Sequence, residues 1–113
     1  MRPIHLVPAL ILTILTSVAF AHGVEVTAPD AKTAWAKGSR QKVRWQVAKV
    51  EQVHIELIQV ATKKRLPVVK NLKNTGDFEW KVTADLEPGQ YKILVISTKD
   101  EEVHGVSAVF EIR

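Results

Sequence analysis

From Gly23 onward the chain is written in short runs that alternate apolar and polar residues. Gly, Pro, Asn or Asp interrupts them roughly every ten positions. In "QKVRWQV", Val43, Trp45 and Val47 share one side while Lys42, Arg44 and Gln46 share the other. "VHIELIQV" sets Val53, Ile55 and Leu57 against His54 and Glu56, and "DFEWKV" sets Phe78, Trp80 and Val82 against Glu79 and Lys81. A repeat of two is the repeat of an extended strand, whose successive side chains point to opposite faces. No window carries the 3.6-residue repeat of an amphipathic helix. "GVEVTAP" starts with Val24 and Val26 and stops at Pro29, and "RLPVVK" carries Pro67, which suits an edge strand. "YKILVIST" is apolar on both faces, as a central strand would be, and "VSAVFEIR" closes the chain with Val106, Ala108, Phe110 and Ile112 in period two. The pattern predicts an all-β, antiparallel, immunoglobulin-like sandwich of about seven strands.

The first residues belong to another category. "MRPIHLVPALILTILTSVAFA" has a basic start at Arg2, an apolar run from Leu6 to about Leu15, and an Ala19-Phe20-Ala21 ending of the kind signal peptidase reads. A membrane-spanning helix needs about 20 apolar residues; this run is shorter and contains Pro8. Residues 1–21 therefore read as a cleaved secretory signal and residues 22–113 as one domain. The mature chain is expected to be secreted, extracellular or in a cell wall, without a membrane anchor, and a monomer. With no cysteine in the chain, thiol catalysis, cysteine-based zinc sites and disulfides are all excluded. The formal charge of +4 is mild, and the one dense basic run, Lys63-Lys64-Arg65, lacks the interleaved aromatics of a nucleic-acid surface, so no nucleic-acid partner is expected.

The tryptophans set the functional question. Trp45 and Trp80 alternate in register with valines and phenylalanine, so they are expected in the core; turning Trp45 outward would turn its flanking valines out with it. Tyr91 follows a Pro-Gly turn in "LEPGQY" and opens the most apolar strand, where a tyrosine corner belongs, and Phe110 sits in the closing strand. Trp35, in "TAWAKG", alternates only weakly and ends in a turn. A position at the rim of the core is favoured for it; the alternative is partial exposure, which only this indole offers, and there, with Arg40, Gln41 and the neighbouring Ser39, it would form the candidate platform for a sugar ring.

The ordered set "VTAP", "WAKG", "VRW", "VHIEL", "NTGDFEW", "LEPGQYKI" and "SAVFEI" resembles the immunoglobulin-like N-terminal domain of the Kre/Knh yeast cell-wall synthesis family. That family includes Ser-Thr-rich glycosylphosphatidylinositol-anchored proteins. The resemblance spans about residues 24–113 and implies a secreted sandwich tied to cell-wall assembly, β-1,6-glucan in particular, without established catalytic residues. Trp35, Gly38, Trp45, Trp80, Pro88, Gly89, Tyr91 and Phe110 carry over as structural positions. The chain stops at Arg113 without a polar spacer or hydrophobic tail, so no lipid anchor is expected.

Little else suggests chemistry. Glu101 and Glu102 are adjacent at a hairpin tip rather than paired across a cleft. Ser39, Ser97 and Ser107 lack a nucleophile-elbow context. Cleavage after Ala21 would make His22 the N-terminus, whose amine and imidazole can chelate copper, with His54 or His104 as the only possible second histidine; cleavage after Gly23 would remove it. No cofactor and no enzymatic activity are expected. The leading expectation is a non-catalytic module that binds wall polysaccharide or a wall or extracellular protein. The alternatives are a protein–protein module without carbohydrate affinity and, behind it, a small copper-binding protein.

Overall fold

Strand-forming residues with one apolar side must bury that side, and here two sheets bury theirs against each other. The computed structural model describes residues 23–47 and 49–113, so the leader sequence and His22 lie outside the described residues. The strands are β1 (Val24–Ala28), β2 (Ala34–Trp35), β3 (Arg40–Val47), β4 (Gln52–Gln59), β5 (Arg65–Lys73), β6 (Asp77–Lys81), β7 (Gly89–Ser97), β8 (His104–Val106) and β9 (Phe110–Ile112), and the described residues contain no helix. One sheet has the order β1-β3-β6; the larger has the order β2-β9-β7-β4-β5, with β8 also paired to β7.

The inward positions of both sheets make one core. Val43 and Trp45 of β3 and Trp80 of β6 face Val53, Ile55 and Leu57 of β4, Tyr91, Ile93 and Val95 of β7, and Phe110 and Ile112 of β9. The outward positions of the small sheet are charged: Arg40 lies opposite Lys81, Lys42 opposite Glu79, and Arg44 opposite Asp77. β7 is central and apolar on both faces, and β5, which contains Pro67, is an edge strand.

Two features depart from a plain seven-strand reading. After Ala28 the chain leaves the small sheet, and at Pro29 it crosses to the larger one. A turn built on Asp30, whose carboxylate accepts from Lys32 N at 2.9 Å and from Thr33 Oγ1 at 3.0 Å, then delivers β2. β2 runs parallel to β9, so the sandwich is not wholly antiparallel. The closing strand is also split. β9 pairs Tyr91 with Phe110, whereas β8 pairs Leu94 with Val106, a slip of one residue. Such a slip sends side chains to the opposite face. Phe110 and Ile112 point inward as expected, but Val106 and Ala108 are exposed, correcting the uniform alternation expected of this strand. Ser107 makes the slip possible. Its N–H donates to Ile93 O at 2.8 Å while its hydroxyl accepts from Ile93 N at 2.9 Å, so one side chain stands in for a displaced carbonyl.

Candidate functional site

Trp35 is 5 % exposed, deeper than the favoured position at the rim of the core and without the open face that the sugar-platform alternative needs. Its ring centroid lies 4.7 Å from that of Phe110 and 6.1 Å from that of Trp80, in tilted and edge-on arrangements that favour aromatic packing. The physical cause is β2: parallel pairing of Trp35 with Ile112 turns the indole under the sandwich rather than over its rim. The following turn is closed by Gly38, at φ 82°, whose N–H donates to Val82 O at 2.7 Å. Ser39 Oγ donates to Ala36 O at 2.6 Å and accepts from Gln41 Nε2 at 3.0 Å. Arg40 is exposed and Gln41 half-buried, but no exposed ring stands beside them.

The other aromatic side chains are also turned inward. Trp45, Trp80, Tyr91 and Phe110 are buried, and Phe78 is partly buried against the same core. Trp45 Nε1 donates to Asn74 Oδ1 at 2.8 Å, satisfying the indole N–H inside the sandwich. Tyr91 makes the tyrosine corner, its hydroxyl donating to Glu87 O at 2.6 Å. Burial pushes the phenol above its usual range, and the nearby Glu87 carboxylate adds to the shift.

The surface with chemical character is instead the outer face of the larger sheet. Strand register lays it out in rows: His104, Ile96 and His54; then Val106, Leu94 and Glu56; then Lys92 beside Ile58 and Arg65. Leu94 and Ile96 point away from the core yet are only 6 % and 7 % exposed. Val106, at 43 %, is the one large apolar residue that is exposed among the described residues. Arg65 is paired with Glu56 through its Nε, and this carboxylate, with Glu101 further off, holds the guanidinium pKa above its usual value. Beside this row a shallow groove of about 560 Å³ runs between His54, Glu56 and Arg65 on one wall and Glu101 and Glu102 on the other, with Ile96 among its lining residues. Sequence reading passed over this face; its only signal was the two-sided apolarity of "YKILVIST".

The candidate nucleophiles and ligands are held apart from one another. Ser39, Ser97 and Ser107 each hydrogen-bond local backbone. His54 Nδ1 accepts from Asn71 N at 3.1 Å, and His104 Nδ1 lies 2.9 Å from Glu101 O. Among the described residues no group of three or more His, Asp or Glu is placed to hold a metal ion, and His22 lies outside them.

Fold and surface together define an immunoglobulin-like module of the β-sandwich class. The Kre9/KNH-like N-terminal Ig-like domain matches residues 28–112, and the chain belongs to that family, which is related to cell-wall glucan synthesis and is generally non-catalytic. No curated protein matches the chain. Among solved structures it is similar to the fibronectin(III)-like modules of Clostridium thermocellum CbhA, with 18 % identity, TM-score 0.51, and coverage of 79 % of this chain and 92 % of that one. It is similar, at 10 % identity, TM-score 0.45 and the same coverages, to a structure of Dpr1 IG1 bound to DIP-eta IG1. No helix of the described residues is long and apolar enough to cross a membrane.

Proposed function

We propose that this chain is an exported, non-catalytic immunoglobulin-like module, cleaved after Ala21, that works at the cell exterior or in the wall by contacting a protein. The observation that carries the preference for protein over polysaccharide is the inward turn of every described aromatic ring. A sugar face is held by stacking on an open ring backed by polar groups, and Arg40 and Gln41 have no such ring beside them. The outer face of the larger sheet offers a small feature that a protein contact can use: the exposed Val106, in one row with Leu94 and Glu56, with charged groups at its margin.

A photo-crosslinking residue placed at Val106, compared with one at Glu79 on the small sheet, tests this in cells exporting the tagged chain. The expected outcome is a discrete protein adduct from position 106 only, from a secreted chain lacking residues 1–21. Equal adducts from both positions, or retention of the purified domain on insoluble β-glucan, overturns the reading.

A further inference from the structure

Between Glu56 and Asp77 the chain carries five cations, Lys63, Lys64, Arg65, Lys70 and Lys73, and no acid. The fold draws this stretch out along one line. Lys63 and Lys64 sit in the connection from β4 to β5, and the other three lie on β5, the edge strand of the larger sheet. From Arg65 to Lys73 the edge extends for about 25 Å. All five cations are exposed. Arg65 is engaged by Glu56, whereas Lys63, Lys64, Lys70 and Lys73 have no ion pair among the described residues.

The backbone of this edge is a poor place for another strand to join. Pro67 has no N–H to donate, Asn71 sits at φ 54°, and the Asn71 N–H is turned inward to His54 Nδ1. Ile58 pairs with Arg65 and Gln52 with Lys73, so β5 takes eight steps where β4 takes six, and two extra residues bulge from the edge. A proline, bulges and lysines are the devices by which a sheet edge refuses an added strand. What stays open is a row of ammonium groups on flexible stems, suited to oxygen anions rather than to a peptide ladder.

The row also selects among polyanions. A linear polymer matches it, and a stiff one with charges at fixed spacing loses less freedom on binding than a flexible acidic polypeptide. Single-stranded nucleic acid is held by stacking as well as by charge, and the described rings are turned inward. We infer that the β5 edge, with Lys63, Lys64, Lys70 and Lys73 as its contacts, binds a linear acidic polysaccharide. The contact is held by charge and needs no open ring, so it does not depend on the protein contact proposed above.

The exported chain is purified and titrated with polygalacturonate at several salt concentrations, beside neutral dextran, poly-L-glutamate and a single-stranded oligodeoxynucleotide. Polygalacturonate is expected to bind most tightly and dextran not at all, with affinity falling steeply as salt rises. Exchanging Lys63, Lys64, Lys70 and Lys73 together for Gln is expected to weaken binding by about tenfold or more at about 0.1 M salt and to flatten the salt dependence. Exchanging Lys32, Lys37, Lys42 and Lys81, also exposed, alters the net charge equally and is expected to change binding by less than about threefold. The paired variants Lys63→Gln with Lys64→Gln, and Lys70→Gln with Lys73→Gln, divide the loss between the two ends of the edge and serve if the fourfold variant unfolds. Equal weakening by the two fourfold variants overturns the site, because the field of the whole chain then does the binding. No binding to polygalacturonate at about 0.05 M salt, or tighter binding to poly-L-glutamate or the oligonucleotide, overturns it as well.

Discussion

Trp45 and Asn74 are joined by a 2.8 Å hydrogen bond from the indole Nε1 to Oδ1, and Asn74 is fixed in turn by its Nδ2 donating to Val50 O at 2.9 Å and its backbone N to Glu51 O at 2.9 Å. One amide thus ties β3 to the chain entering β4. Asn74→Ala leaves an indole donor and a carbonyl acceptor without partners, and is expected to cost about 1–3 kcal/mol. In a domain this small, each 1 kcal/mol lowers the melting temperature by about 4–8 °C. Thermal unfolding followed by tryptophan fluorescence measures the loss; an unchanged midpoint would show the bond to be dispensable.

Trp35 is expected to behave as a core residue. Its contacts with Trp80 and Phe110 hold β2 under the sandwich, so Trp35→Ala should cost about 3–5 kcal/mol. Urea denaturation of the variant is the measurement. Wild-type stability would return Trp35 to the surface and reopen the sugar-platform idea.

Tyr91 makes stability depend on alkaline pH. Burial raises the folded-state phenol pKa above the unfolded value of about 10. The folded state therefore binds this proton more tightly, so the contribution is complete below pH of about 10 and is lost as pH rises through the folded pKa. Because the chain has a single tyrosine, phenolate absorbance during an alkaline titration reports this group alone. Tyr91→Phe should lose about 0.5–1.5 kcal/mol at neutral pH with the bond to Glu87, and should unfold with a weaker alkaline dependence.

Gly105→Ala is expected to destabilise by about 1–3 kcal/mol, because its methyl group would meet the Val24 carbonyl and backbone cannot swing aside as a flexible side chain can. Hydrogen exchange should show the loss concentrated in β1 and β8. Uniform exchange rates across both sheets would mean that the seam carries no special share of the stability.

Ser107→Ala removes the hydroxyl that receives Ile93 N, leaving a buried donor in the central strand without an acceptor. A cost of about 1–3 kcal/mol is expected, with Ser107→Thr, which keeps the oxygen, closer to wild type. Equal losses in both variants would assign the effect to packing.

The strands themselves were legible because burial on one face imposes a repeat of two, and β3, β4 and β6 follow it without exception at their inward positions. The tyrosine corner was legible because a Pro-Gly turn and its tyrosine are local in the chain. What escaped depends on partners distant in sequence. Val106 and Ala108 look like a continuation of the Phe110 face until Ser107 replaces a carbonyl in the ladder with β7. Trp35 cannot be oriented from a two-residue strand; its direction comes from Ile112, at the other end of the domain. The closeness of Gly23 to His104 likewise arises only where β1 meets β8.

Beside β9 the chain forms three backbone bonds, Glu111 N to Thr33 O, Arg113 N to Trp35 O, and Lys37 N to Arg113 O, and the two segments run in the same direction. Tension entering β2 from its leading end and leaving β9 at its trailing end pulls the neighbours past each other lengthwise, so all three links share the load and must rupture together instead of opening one by one. Pulled in that direction, the pair resists extension more than the same three bonds would if they were opened one after another.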